Sequence, residues 1–285
     1  MISDVFDTHC HLADRKYHEQ SKSTEEIIQE AKKAGVKYIL NVGQDMLTNR
    51  LLLKQLNDFP NRLFGALGLH PNSKEDLKEE NLQWIEKQLL TNKRIIAIGE
   101  IGLDYYRAFT DIEKQKYWFA RQLELAKKYN LPVLLHIRGK ENEDKFMETF
   151  NDAYEIVKKA EIKKGILHCF TGNWEITQKF INLGFYISFA GNITYKNAKW
   201  KGQWGEALEK VPLEKLVVET DAPYLIPEPL RGKQTHNYPQ NIIYTLKIIV
   251  EVKKTDLKEL VKQIFHNTLN ILGLNKEQEM TNPKF

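Results

Sequence analysis

Cysteines and long apolar runs are scarce in this 285-residue sequence. The only cysteines are Cys10 and Cys169. Each stands beside a histidine in a short motif that a disulfide would distort, so we expect reduced thiols and a cytoplasmic location. The chain does not open with a basic segment followed by an apolar one, which predicts no secretory signal. Because no apolar run approaches the roughly 18 residues of a spanning helix, no membrane insertion is expected.

The sequence also lacks a strong excess of one charge and any abrupt change in composition along the chain. The chain has 42 basic and 38 acidic residues, a net charge of +4. This mild excess is compatible with a polyanionic substrate without indicating one. A hydrophobic fraction of 42% allows a sizeable core. Without a low-complexity linker or a repeat, we predict a single domain over residues 1–273 and a disordered tail over residues 274–285.

Short apolar strands alternate with amphipathic helices along almost the whole sequence. Strands are predicted over residues 2–6, 36–42, 62–68, 94–99, 131–135, 165–167, 184–188 and 216–219. Helices are predicted over residues 27–34, 47–57, 82–90, 112–129, 143–159, 174–183, 205–210, 241–252 and 256–272. About eight such units predict an α/β protein with the (β/α)8 TIM barrel fold and an extra C-terminal helix. An open doubly wound sheet is the alternative, but the sequence has no glycine-rich phosphate loop to support it.

Side chains that bind metals stand where these strands end. In a barrel, the C-terminal ends of the strands carry the reactive groups. Five of the eight histidines are at such ends, whereas His18, His236 and His266 are not. Together with two carboxylates, the residues at the strand ends are His9, His11, His70, Glu100, His136, His168 and Asp221. The clustering predicts a metal site, and alternation along a strand predicts that His9 and His11 share one face.

Without His70, this set offers six ligands, too many for one tetrahedral ion and suited to two ions. A carboxylate bridges well because it has two oxygens, which favours Glu100 as the shared ligand. A water activated by both ions is then the expected nucleophile. Asp221 is placed to bind an ion and to orient or deprotonate that water. Imidazole-rich ligands fit Zn, Mn, Fe or Co better than an all-oxygen Mg site.

Six motifs together resemble the TatD family of metal-dependent deoxyribonucleases, which belongs to the amidohydrolase-like metal barrels. The motifs cover residues 7–12, 68–71, 99–106, 136–138, 168–170 and 219–225, and the resemblance runs from about Asp4 to Gly273. It implies hydrolysis of DNA phosphodiesters, often as a 3′ exonuclease on single strands, with two divalent ions (Zn, Mn or Mg). By this resemblance, one ion is held by His9, His11, Glu100 and Asp221, and the other by Glu100, His136 and His168.

The expected partner is single-stranded DNA, with no obligate protein partner. His70, Arg138 and Arg231 are the candidate substrate contacts. His70 stands before Pro71 and is expected to point into the mouth of the barrel, and the guanidinium of each arginine matches phosphate oxygens in pairs. The loops over residues 139–144 and 231–239 differ from the usual family pattern, which leaves substrate preference open. The alternative is a related amidohydrolase that cleaves a small ester, lactone or amide, or an aminoacyl ester on tRNA. A metal-binding scaffold without activity is a third interpretation.

Other residues near the strand ends have two readings each. Six aromatic residues fall in predicted mouth loops, where they could stack bases or pack the loops together; they are Tyr105, Tyr106, Trp174, Tyr195, Trp200 and Tyr224. The basic run over residues 196–201 suits a strand backbone or a solvated surface. Glu219 is expected either to hydrogen-bond a metal-binding histidine or to fill a polar core layer. The two cysteines are expected to face away from the site and pack.

Overall fold

The computed structural model describes residues 3–19, 22–140, 143–196 and 201–274. Eight strands lie in one sheet in sequence order, and every neighbouring pair is parallel. The strands are β1 (Val5–Cys10), β2 (Val36–Val42), β3 (Leu63–Leu67), β4 (Ile95–Asp104), β5 (Val133–Arg138), β6 (Gly165–Leu167), β7 (Tyr186–Phe189) and β8 (Leu216–Val218). Their mostly apolar and mostly buried residues are typical of strands covered on both faces.

The sheet closes where β1 meets the end of β8. The main-chain N–H of Asp221 donates to the carbonyl oxygen of His9 (2.9 Å), and that of His11 donates to the carbonyl oxygen of Ala222 (2.7 Å). The hydroxyl of Thr8 donates to the carbonyl oxygen of Val218 (3.0 Å). These contacts complete a nearly closed barrel, so the predicted α/β (β/α)8 TIM barrel is confirmed.

Helices follow every strand. They are α1 (Arg15–His18), α2 (Thr24–Lys33), α3 (Met46–Asp58), α4 (Glu79–Thr91), α5 (Ile112–Tyr129), α6 (Glu143–Lys159), α7 (Trp174–Asn182), α8 (Lys201–Lys210), α9 (Ile242–Lys253) and α10 (Leu257–Leu272). Local signals fix several ends: Ser23 and Glu26 form a capping box at α2, and Gly273 ends α10 in the left-handed conformation. The one-turn helix α1 was not predicted. No helix in the described ranges is long and apolar enough to cross a bilayer.

The extra helix α10 covers the N-terminal end of the barrel. Inward-facing side chains of the strands, such as Phe6, Leu40 and Phe64, form a cluster with Ile271 and Leu274. Leu274, the first residue of the predicted tail, is therefore packed, while residues 275–285 lie outside the described ranges. Because α10 covers the N-terminal end of the barrel, the C-terminal ends of the strands form its open face.

Two strands carry site residues further than the sequence predicts. The first predicted strand stopped at residue 6, but β1 continues through His9 to Cys10. The fourth stopped at residue 99, but β4 runs to Asp104 after a register shift between Ile98 and Ile101. Gly102 has φ +145°, and a Cβ there would clash with the carbonyl oxygen of His136. The glycine thus lets β4 lie close enough to β5 for pairing to continue.

Candidate metal centre

Two histidines and two carboxylates converge at the open face of the barrel. The Nε2 atoms of His9 and His11 lie 3.1 Å apart. Each is 3.6 Å from Oε2 of Glu100. Oδ1 of Asp221 lies 3.3 Å from Nε2 of His11 and 3.9 Å from Nε2 of His9. Four potential ligand atoms therefore surround one point, which β1, β4 and the segment after β8 bring together.

A second group meets the other oxygen of the same glutamate. Oε1 of Glu100 is 2.7 Å from Nδ1 of His136 and 3.1 Å from Nε2 of His168. The two oxygens of Glu100 thus face two different pairs of histidines. This is the arrangement that a carboxylate shared between two ions requires.

The chemistry of these donors fits divalent cations. His9, His11 and Glu100 form one group, and Glu100, His136 and His168 another, each with ligand atoms within 4.8 Å of one another. Imidazole nitrogens and carboxylate oxygens are the donors that zinc and similar metals take. His9, His11 and Glu100 are at most 2% exposed, so the donors are shielded from bulk water. The six predicted metal ligands are therefore brought together, and their division between two ions stays a prediction.

Two carboxylates of the site are held in their ionised form, which suits a cation. Burial alone would raise the pKa of Glu100, but the charge of the nearby His168, with hydrogen bonds from His136 and His168, holds it well below its usual value. Burial opposes ionisation of Asp221 as well, and its contacts with His11 and the charge of His168 lower its pKa. Burial and the charge of His168 lower the pKa of His9. The site thus presents two ionised carboxylates and, at His9, an imidazole whose neutral form is favoured, whereas the same carboxylates help to raise the pKa of His11, His136 and His168.

Buried contacts orient two of the imidazoles. Nδ1 of His11 lies 2.8 Å from the carbonyl oxygen of Val42 and, as an N–H, donates to it, which leaves Nε2 for the site. Nδ1 of His168 lies 3.1 Å from Oε1 of Glu219, which also accepts from the main-chain N–H of Cys169 (2.5 Å). Glu219 therefore takes the first of its two predicted roles.

The residues 6–273 match the family model described as "TatD related DNase". The chain belongs to the TatD family of metal-dependent hydrolases. This finding confirms the family predicted from the six motifs. It also agrees with the shared glutamate between two histidine pairs at the mouth of a barrel.

Two relatives have similar sequences along nearly their full length. One is an uncharacterized metal-dependent hydrolase, YabD of Bacillus subtilis, which is 35% identical over 95% of this chain and 100% of its own. Another is the uncharacterized metal-dependent hydrolase YcfH of Escherichia coli, 31% identical over 95% of this chain and 96% of its own. Among solved structures, the TatD homologue YjjV of Escherichia coli has a TM-score of 0.82 and 29% identity, covering 95% of this chain and 98% of its own.

One residue of this TatD-family site, Asp104, was missed from the sequence. Its Oδ2 lies 3.3 Å from Nε2 of His136 and accepts from the side-chain amide of Asn72 (2.7 Å). Its Oδ1 accepts from the main-chain N–H of Arg107 (2.8 Å). An N–H at Nε2 of His136 would donate to Asp104 and free Nδ1 to face Glu100. Alternation from Glu100 gives the same face at Asp104, so a longer fourth strand would have revealed it.

We expect Asp104→Ala to weaken metal binding without unfolding the protein. Loss of the carboxylate that orients His136 should lower the affinity for one divalent ion roughly 10- to 100-fold. Calorimetric titration of metal-depleted protein with Mn²⁺ measures this directly. Asp58→Ala, at the exposed end of α3, is the matched control. Unchanged affinity in the Asp104 variant would show that His136 needs no such partner.

A large cavity of about 640 Å³ opens above the metal centre of this TatD-family chain. Its lining includes all three predicted substrate contacts, His70, Arg138 and Arg231. Cations at its rim lie over aromatic rings: Arg138 over Tyr106 (4.0 Å), Arg231 over Tyr195 (4.2 Å) and Lys16 over Tyr224 (4.1 Å). Such contacts hold the charged groups in place at the opening.

The other aromatic residues of the predicted mouth loops and the two cysteines lie in different surroundings. Tyr105 is buried and donates to Asp152 (2.7 Å), and Trp174 packs against the core. Trp200 lies outside the described ranges, as do residues 197–199 of the basic run. Phe109, which was not singled out, is 66% exposed at the large cavity. Cys10 is buried as expected, but Cys169 lines a smaller cavity instead of facing away.

Proposed function

We propose that this protein hydrolyses phosphodiester bonds of DNA, acting from the 3′ end of single strands. The observation that carries the proposal is the cationic rim around a buried cluster of carboxylates and imidazoles. Lys16, Arg107, Arg138 and Arg231 line the large cavity. The description of the family model as a DNase supports the same substrate class.

The rim favours a polyanion over a neutral substrate. Guanidinium groups bind phosphate oxygens in pairs, and aromatic rings beside them offer faces on which unpaired bases stack. A small ester or lactone needs neither feature. The cavity is wide and has four basic side chains in its lining, whereas the amidohydrolase alternative predicts a narrow, uncharged mouth.

Divalent ions held by the six ligands would supply positive charge for the phosphoryl oxygens and raise the acidity of water. Glu100 would hold the two groups of ligands together. Asp221, whose side chain is 13% exposed and faces the cavity, would orient the attacking water and accept its proton. Arg138 and Arg231 would position the phosphate for in-line attack.

His70 has a distinct role in this proposal. Burial and the neighbouring His136 lower the pKa of His70 to about 3, so its ring is neutral. Nδ1 accepts from the main-chain N–H of Asn72 (3.1 Å), which places the ring proton on Nε2. Nε2 would therefore donate a hydrogen bond to a phosphate oxygen without adding charge.

A substrate panel tests the proposed function. Protein loaded with Mn²⁺ is incubated with 5′-labelled single-stranded DNA, the matching duplex, an RNA of the same sequence, an aminoacyl-tRNA and p-nitrophenyl acetate. We expect a ladder of products shortened from the 3′ end of the single strand. Hydrolysis of the carboxyl ester or of an aminoacyl-tRNA, with intact DNA, would overturn the proposal in favour of the amidohydrolase alternative.

Arg231→Gln should weaken DNA binding in a salt-dependent manner. Each phosphate contact on a single strand contributes about 0.7 to the slope of log affinity against log salt concentration, so this slope should fall by about 0.7. Fluorescence anisotropy with metal-depleted protein measures the slope without cleavage. Arg50→Gln is the matched control. Arg50 also lies over an aromatic ring, 4.8 Å from the centroid of Trp84, but it does not line the cavity. Equal slopes for both variants would remove Arg231 from the DNA contacts.

A further inference from the structure

A second, smaller cavity of about 320 Å³ adjoins the metal centre. It shares part of its wall with the large cavity, namely His136, Arg138, His168, Asp221 and Leu225. A group in the smaller cavity would therefore be next to any phosphate held at the metal ligands. The two cavities therefore adjoin each other at the candidate metal ligands.

The part of the smaller cavity that is not shared is uncharged. In the described part of the chain, that wall consists of apolar and aromatic side chains, such as Ile137 and Phe146, and of neutral polar ones, such as Thr171. Phe146 is 4% exposed and packs against Phe150, with ring centroids 5.6 Å apart, so its position is fixed. Such walls suit a heteroaromatic ring and disfavour a second phosphate.

Asn192 adds an unfilled hydrogen-bonding group to this wall. It belongs to the single turn after β7 (Gly191–Thr194) and lines the smaller cavity. Its Oδ1 atom is buried and has no hydrogen-bond partner among the described residues. Most buried polar side-chain atoms have a partner, so a ligand that hydrogen-bonds to this amide would complete the site.

We propose that the smaller cavity binds the base of the nucleotide at the 3′ end, with Asn192 contacting the base edge and Phe146 and Ile137 its faces. The inference rests on the proposed function and adds where the terminal base lies and which residues bind it. At about 320 Å³, the cavity is near the lower end of ligand-pocket volumes and suits one nucleoside. A base pair does not fit, so the terminal base must be unpaired.

A strand that lacks its terminal base tests this proposal. Two 5′-labelled single strands of equal length differ only at the 3′ end, where one has a natural nucleotide and the other an abasic tetrahydrofuran residue. Stacking in such a site typically changes affinity roughly 5- to 150-fold, so kcat/KM for the first cleavage should fall by that factor on the abasic strand. Later cleavages act on identical strands, and their rates should agree.

Variants assign the effect to the cavity. Asn192→Ala should reduce the ratio of the two first-cleavage rates, mainly by slowing cleavage of the natural strand, and Phe146→Leu should do so more weakly. Asn270→Ala, on the exposed face of α10, is the matched control. Equal first-cleavage rates on both strands with wild-type protein would overturn the base site while leaving the nuclease function intact. Absence of cleavage on both strands would overturn the base site and the nuclease function together.

Discussion

Glu100→Gln is expected to abolish DNA hydrolysis, with a loss of roughly 10³-fold or more, the effect of several kcal/mol of lost charge stabilisation. The two carboxylate oxygens face different histidine pairs, at 3.6 Å from His9 and His11 and at 2.7–3.1 Å from His136 and His168. An amide has one acceptor oxygen in place of two, so it serves at most one side. Single-turnover cleavage of 5′-labelled DNA measures the loss.

The fold should survive this change. Glutamine has nearly the same shape, and the barrel core below the site is unchanged. Circular dichroism should therefore match that of the wild type, and Glu251→Gln, exposed on α9, controls for a lost surface carboxylate. Near-normal cleavage by the Glu100 variant would exclude a shared carboxylate from the mechanism.

Asp221→Asn should also stop turnover, but it should leave one metal group complete. Among the candidate ligands in the described part of the chain, Asp221 lies within 4 Å of His9 and His11, while Glu100, His136 and His168 form the other group. We expect the metal content to fall from two ions per chain to one, and the rate to fall roughly 10²- to 10⁴-fold through loss of the proton acceptor. Elemental analysis after dialysis and single-turnover cleavage measure the two effects on the same sample.

The Asp221 variant separates metal binding from proton transfer. Asp58→Asn, at the exposed end of α3, should keep both ions and full activity. A variant at Asp221 that keeps two ions and normal turnover would contradict both roles. Loss of both ions would instead place Asp221 among the residues that hold the whole cluster.

Much of the barrel follows from local sequence. The strand over residues 36–42 and the helices over residues 112–129 and 143–159 are predicted with the bounds that the structure has. Continuous β-branched runs specify buried strands, and capping residues specify where helices begin. The clustering of the candidate metal ligands is predictable because a parallel barrel brings the ends of its strands together.

The features that were missed depend on contacts between distant segments. The extension of β4 to Asp104 depends on its pairing with β5. From the local sequence alone, the glycine and the charged residue at Gly102 and Glu100 indicate the end of a strand. The pairing of Arg231 with Tyr195 joins loops after β7 and β8. Similarly, Cys169 turns to the smaller cavity because its backbone is left-handed, with φ 46°, which breaks the alternation assumed for a strand.

The most direct test is a titration of metal-depleted protein with Mn²⁺, in which cleavage of 5′-labelled single-stranded DNA is followed together with the number of ions bound. We expect no cleavage without metal, and a ladder of shortened products whose rate of formation reaches its maximum as the second ion per chain binds. The Glu100→Gln protein should stay inactive at every concentration. Cleavage that persists in fully metal-depleted protein, or DNA that stays intact with both ions bound, would contradict the account.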